Sequence, residues 1–191
     1  MKIGADRIRD IVLSLRNFSR LDESECKAVN IHKGIESTLL TIQHRLKEQP
    51  NRKSIQVVRS FDDLPLAGCY AGQLNQVFMN ILANSVDAIE AISKNSWSSN
   101  RILQIVTRTE RRESSIIISF TDNGVGMSDM VKAHIFDPFF TTKDVGKGTG
   151  MGMAVSYQII VEKHRGKIER FSEEGSGTEF VIELPTRTDS A

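Results

Sequence analysis

The sequence predicts an α/β domain, on three observations. Runs rich in β-branched and apolar residues at 54–61, 102–108, 115–121, 167–172 and 178–184 have the length and content of strands. Around them, apolar residues recur at helical spacing over 30–46, 71–93 and 153–163. The remaining segment, 122–152, holds six of the thirteen glycines and three of the nine phenylalanines, which concentrates permissive backbone and bulky anchors outside any regular element.

The 191 residues are 39% hydrophobic and 26% charged, enough for one good core and an appendage. A formal net charge of +1 provides no global basic field, so nucleic acid is not an expected partner. Cys26 and Cys69 stand far apart in no ligand-like spacing, which reads as two reduced thiols of a cytoplasmic protein and argues against structural zinc. No run approaches the roughly 20 apolar residues of a membrane span, so no direct membrane contact is expected, although a parent protein could be anchored.

Taken in order, Ile8, Ile11, Leu15 and Phe18 are spaced as the a and d positions of a helical seam over residues 1–21. Such a seam packs on another helix, of this chain or of a second copy, or lies on its own domain; a homodimer through 1–21 is one expectation. Residues 22–29 read as a polar connector. Asn30 then caps a helix with Ile31, Ile35, Leu39, Ile42 and Leu46 on one face, ended by Pro50. The domain boundaries expected are 1–22, 23–185, and a polar tail at 186–191.

The helix at 71–93 contains only two charged residues, Asp87 and Glu90, whereas Gln73, Gln76, Asn80, Asn84 and Asp87 recur every three or four positions as a polar stripe. Leu74, Val77, Phe78, Ile81, Leu82 and Ile89 supply its core face. A solvated face would draw on Lys, Glu and Arg, since Asn in a helix interior costs about 0.5 kcal/mol or more against Ala. Neutral amides suit a hard cation that arrives with anionic ligands, which makes Asn84 and Asn80 candidates for a magnesium site.

The strands 102–108 and 115–121 read as a hairpin across the turn TERRE, and the second delivers Asp122 to the rim of the sheet. With Gly124 and Gly126 following, the backbone can pass close to a flat ligand while the carboxylate accepts from an exocyclic amine such as that of adenine. A plain strand-ending Asp-Asn-Gly turn would have the same letters. Gly146, Gly148, Gly150 and Gly152 alternate with Lys147, Thr149 and Met151 directly ahead of a helix, an arrangement that turns N–H groups and a positive helix end toward phosphates. Lys143 and Lys147 add charge. Neither the Walker A pattern nor a strand-following GxGxxG is present. Phe136, Phe139 and Phe140 around Pro138 read either as latches of a lid or as core residues.

Together QLNQVFMNILANSVDAIE, DNGVGM, FDPFFTTK and GKGTGMGM resemble the N, G1, F and G2 boxes of the sensor histidine kinases of two-component systems, in that family's order. The resemblance runs from about residue 30 to 184 and includes GSGTEFVIELP; Asp87, where many relatives carry Lys, together with FFTTK is similar to the nitrogen-sensing branch. The family shares an ATPase superfamily with DNA gyrase, MutL and the mitochondrial protein kinases.

The resemblance implies a two-layer α/β sandwich of the Bergerat type, a mixed sheet covered by helices on one face, with ATP and Mg2+ as cofactors. It places Asn84 on magnesium, Asn80 beside the phosphates, and Asp122 on the adenine amine, helped by Gly124, Gly126 and Thr178. Gly148, Gly150 and Gly152 would wrap the phosphates and Lys143 would approach the terminal one, Asn80 and Lys143 forming the catalytic pair. Asp87, Phe140, Gly146, Lys147, Thr149 and Met151 complete the expected nucleotide set. Ser85 departs from the usual Ala. Residues 1–22 resemble the C-terminal part of a dimerisation and phosphoacceptor hairpin. None of His32, His44, His134 and His164 matches the acceptor, so the acceptor helix is expected upstream in a parent kinase, with a response regulator as the next partner. The alternatives are a clamp ATPase, a serine-kinase relative, or a non-catalytic dimerisation module.

Overall fold

The structure is a computed structural model that describes residues 25–50, 52–92, 103–144 and 148–186. The expected seam helix of 1–21, the loop 94–100, Gly146, Lys147 and the tail beyond residue 186 lie outside the described residues. In chain order the elements are β1 (Lys27–Val29), α1 (Ile31–Thr41), α2 (Gln43–Leu46), β2 (Ile55–Phe61), β3 (Ala67–Cys69), α3 (Ala71–Glu90), β4 (Leu103–Arg111), β5 (Ser115–Asp122), α4 (Asp129–His134), α5 (Gly152–Gln158), a π-helical turn (Ile159–Lys163), β6 (Lys167–Glu173) and β7 (Gly177–Pro185).

Five strands form one mixed sheet in the order β2-β4-β5-β7-β6, with β2 parallel to β4 and every other neighbour antiparallel. The central strand β5, SIIISFTD, is buried along almost its whole length. Ile116, Ile118 and Phe120 sit opposite Leu184, Ile182 and Phe180 across the β5–β7 pair, and all six are buried. The apolar stripe of α3 lies on this floor: Leu74, Val77, Phe78, Ile81, Leu82, Val86 and Ile89 are buried, and the Phe78 and Phe120 rings meet at 5.4 Å. Each such side chain contributes about 1.5–3 kcal/mol on leaving water. The other face is uncovered at its flanks, where Val58 and Phe171 are exposed, while Ile117 and Ser119 of β5 are buried there too. The result is the expected two-layer sandwich with its helices on one side.

Five details differ from the sequence reading. The helix expected over 30–46 breaks at Ile42, whose backbone leaves the helical region at ψ 5° before α2 begins; the buried stripe continues through Ile42, so the periodicity hid the break. The polar connector contains β1, which pairs with β3 so that Lys27 faces Cys69 and Val29 faces Ala67. Three-residue strands leave no alternation to detect. The helix α4, capped by Ser128, lies within the segment taken as irregular. Beyond α5 the helix widens into a π turn that ends at the buried His164. Gln73, counted in the polar stripe, is buried as well.

Candidate nucleotide-binding site

A cavity of about 920 Å³ opens between α3, the end of β5, α4 and the segment leading into α5. The helical period of α3 puts Asn80, Asn84 and Asp87 on one wall of it. Asn80 Nδ2 donates to the Gly152 carbonyl at 2.8 Å and to Ser156 Oγ at 3.1 Å, tying α3 to the first turn of α5. Asn84 Oδ1 accepts from Lys143 Nζ at 3.2 Å. Lys143 also pairs with Asp87 Oδ2, while Arg45 Nη2 lies 2.6 Å from Asp87 Oδ1. Burial pushes the Asp87 carboxyl up, but the hydrogen bonds and charges of Lys143 and Arg45 outweigh it and hold the group below its ordinary range.

Asp122 closes β5 opposite Thr178 and is 4% exposed. Its Oδ1 accepts the Gly124 N–H at 2.9 Å. Burial pushes this carboxyl up to about 6, against the opposing effects of the Gly124 amide, the nearby Ser85 hydroxyl and the Thr178 backbone. Ser85 Oγ is itself buried and makes no well-formed hydrogen bond among the described residues. A buried acid and a buried hydroxyl with spare capacity, side by side at a cavity wall, are groups that a ligand would satisfy.

The loop after Asp122 is stapled on both sides. Val125 N donates to the Ala88 carbonyl at 3.1 Å, and Gly175 N donates to the Val125 carbonyl at 2.7 Å. Gly126 has φ +69°, and a Cβ there would lie 2.0 Å from the Glu173 carbonyl oxygen. Across the cavity Gly150, at φ +68°, presses on the Phe139 backbone, where a Cβ would come within 2.4 Å. Phe139 also has positive φ and an exposed ring. The three phenylalanines therefore divide. Phe136 packs on the core, 5.4 Å from the Tyr157 ring and beneath Arg170. Phe140 lines the cavity beside His134. Phe139 faces outward.

Of the expected site residues, Asn80, Asn84, Asp87, Asp122, Gly126 and Thr178 line the cavity. So do Phe140, Lys143, Gly148, Thr149, Gly150 and Gly152. Two stand behind the wall: Gly124 abuts Ala88, and Met151 is buried in the core. Gly146 and Lys147 lie outside the described residues. Sequence reasoning passed over the apolar lining, Val125, Met127, Val131 and Ile135, although the first two are inside DNGVGM. It also passed over Arg45, for which a lone arginine in a short helix gives no signal. Among the described residues no cluster of three or more His, Cys, Asp or Glu could hold a metal unaided. Asn84 Oδ1 and Asp87 already face an ammonium, a donor set fit for a cation that brings further ligands with it. No helix among the described residues is long and apolar enough to cross a membrane.

An enclosed acid at the end of a central strand, an amide-lined helix opposite, and a glycine-rich entry into α5 define a nucleotide-binding α/β domain. The chain belongs to the histidine kinase-, DNA gyrase B-, and HSP90-like ATPase family, whose model matches residues 70–188. It is 38% identical over 146 residues to sporulation kinase E of Bacillus subtilis, covering 76% of this chain and 18% of that protein. It is 34% identical to the signal transduction histidine-protein kinase AtoS of Escherichia coli, covering 94% and 27%, and 30% identical to the sensory histidine kinase/phosphatase NtrB of Azospirillum brasilense, covering 95% and 44%. The chain thus spans less than half the length of these relatives. Among solved structures, a nucleotide-free catalytic domain of histidine kinase ThkA superposes with a TM-score of 0.67 at 27% identity, over 85% of this chain and 96% of that one. The domain is an ATP-binding domain of the histidine kinase kind, as the four boxes imply.

Proposed function

We propose that this chain is the catalytic part of a cytoplasmic sensor histidine kinase, which passes the γ-phosphoryl group of Mg-ATP to a histidine on a dimerisation helix of the parent protein, for relay to a response regulator. The observation that carries this reading is the pairing of one cavity's two ends: the buried Asp122 at one, and the Asn84–Lys143 contact at the other. At the first, the carboxylate accepts the adenine amine, and Gly126 with Val125 and Met127 admits a flat ring. At the second, the phosphate chain lies between Asn80 and Asn84 and the backbone of Gly148, Gly150 and Gly152, with Lys143 turned to its terminal group. Thr149 and Phe140 close the sides. Magnesium, held through Asn84, would neutralise phosphate charge. The chain's own residues then supply positioning and electrostatics, which are most of what phosphoryl transfer asks of a protein.

A clamp ATPase is the weaker reading, because its hydrolytic water needs a base. The Asn80 amide is no base, and it is engaged by Gly152 and Ser156. Residues 1–22 are read as the end of the acceptor hairpin and a dimer contact, 23–185 as the ATP-binding domain, and 186–191 as a tail.

The test is calorimetric titration of Mg-ATP into the chain and into Asp122→Ala. Loss of a charged hydrogen bond is expected to weaken binding about ten- to a hundredfold. Adding the acceptor helix of the parent kinase in trans is expected to place acid-labile phosphate on that helix and none on His32, His44, His134 or His164. No ATP binding by the unaltered chain, or rapid hydrolysis without transfer, sinks the reading.

A further inference from the structure

The cations around Asp87 form a chain that the four sequence boxes do not contain. Asp87 spends each carboxylate oxygen on a different partner, Oδ1 on Arg45 at 2.6 Å and Oδ2 on Lys143. Arg45 Nη2 also lies 2.7 Å from Glu90 Oε2, and Glu90 Oε1 takes Arg52 Nη2 at 3.1 Å. Arg52 is the anchor: its side chain is 1% exposed, and its Nη1 donates to the carbonyls of Lys47 at 3.0 Å and Lys53 at 3.2 Å. It also donates to the Arg45 carbonyl, so the backbone of α2 is fixed by the same guanidinium. Arg45 belongs to α2, outside the 70–188 span that the family model matches.

The network holds three cations and two carboxylates while Lys143 rests on Asp87. Take Lys143 away and two cations face two carboxylates, a balanced set. Without Arg45 the same departure would leave the Asp87 carboxylate unpaired on a cavity wall where, on the reading above, a polyanion binds. Repulsion between the carboxylate and the phosphates would then add to the cost of pulling Lys143 from its last strong partner. Lys143 meanwhile donates to Asn84 Oδ1, so the resting ammonium covers the amide oxygen that a metal ion would need.

We infer that Arg45 is a positioning residue for the phosphate end of the pocket: by holding Asp87 through one oxygen, it makes the other a resting post from which Lys143 passes to the nucleotide and uncovers Asn84. The inference rests on the proposed ATP site and names a residue that acts on it from another element. Arg45 touches neither base nor phosphate in this scheme; it sets the charge that they meet.

The experiment uses the full chain and its variants Arg45→Met, Arg45→Lys and Arg45→Met/Asp87→Asn, with calorimetric affinities for Mg-ATP and for AMP and a thermal melt of each protein. Arg45→Met is expected to weaken Mg-ATP about five- to tenfold, between the worth of an exposed and a desolvated ion pair, and to leave AMP unchanged. Arg45→Lys keeps the charge and is expected to stay within about twofold of the unaltered chain. The double variant, with no carboxylate left to offend the phosphates, is expected to recover most of the lost affinity. A merely structural Arg45 gives a different pattern: ATP and AMP fall together, Arg45→Lys is as weak as Arg45→Met, or the second substitution rescues nothing, and any of these overturns the inference while the ATP site stands. If the unaltered chain binds no ATP, both fall together.

Discussion

His164 Nε2 accepts the backbone N–H of Tyr70 at 3.1 Å, while its Nδ1 lies 2.8 Å from the carbonyl of Ile159. Only a neutral ring protonated at Nδ1 satisfies both contacts. The residue that ends the π turn thus pins the residue ahead of α3, the helix that carries Asn80 and Asn84. Burial holds the imidazole below its ordinary 6.5. With the folded value depressed, the unfolded chain takes up the proton first, so this contribution is present above about 6.5 and is lost as pH falls through the folded value. His164→Ala is expected to cost about 1–3 kcal/mol at pH 8, with a smaller gap at about pH 5, measured by denaturant unfolding at both.

Asp122 has the opposite sign. Its folded value of about 6 lies above the ordinary 3.8, so the folded state binds the proton more tightly and stability is lost as pH rises through that window. The cost at neutral pH is about 3 kcal/mol, and burial leaves little solvent to screen it. Asp122→Asn keeps an oxygen for the Gly124 N–H without the charge. It is expected to melt higher than the unaltered chain at about pH 8 and alike at about pH 4, while losing Mg-ATP affinity. A variant that is more stable and less able to bind would identify the carboxylate as a group kept for its ligand.

Two glycines separate backbone need from pocket need. Gly126→Ala meets the Glu173 carbonyl in a left-handed conformation and is expected to cost about 2 kcal/mol or more in unfolding free energy. Gly152→Ala meets only the Asn80 amide at 3.4 Å, at the start of a helix that favours Ala. It is expected to change stability by less than about 1 kcal/mol yet weaken ATP binding in calorimetry, because the methyl enters the cavity.

Lys143→Met removes the cation that faces both Asn84 and Asp87. It is expected to weaken Mg-ATP about tenfold with AMP unaffected, and the effect should shrink at high salt.

Much of this fold was legible because its signals are strong and local. SIIISFTD is apolar or β-branched nearly throughout, and α3 spells out its core stripe over 20 residues. The site was legible for a different reason: Gly126 and Gly150 are demanded by close backbone approaches, and such demands leave glycines at fixed spacings. What the sequence hid was short or relational. The pairing of β1 with β3 is three residues long, and the π turn follows from where His164 finds partners. Arg45 matters only because α2 folds back beside α3, and no spacing along the chain records that. The division of Phe136, Phe139 and Phe140 among core, surface and cavity likewise depends on the positive φ at Phe139.

The staples on the Asp122 side have a consequence for discrimination. There the wall is built from a central strand, a long helix and a loop bonded to both α3 and the β6–β7 turn. At the far end, residues 141–144 and 148–151 form no helix or strand, and Lys143 holds its place through its ammonium contacts to Asn84 and Asp87 and a bond from its backbone N–H to Thr141 Oγ1 at 3.2 Å. On the proposed ATP site, a wrong base would meet the better-braced of the two walls. On the reading proposed above, sensitivity to the number of phosphates resides in parts that rearrange at little cost.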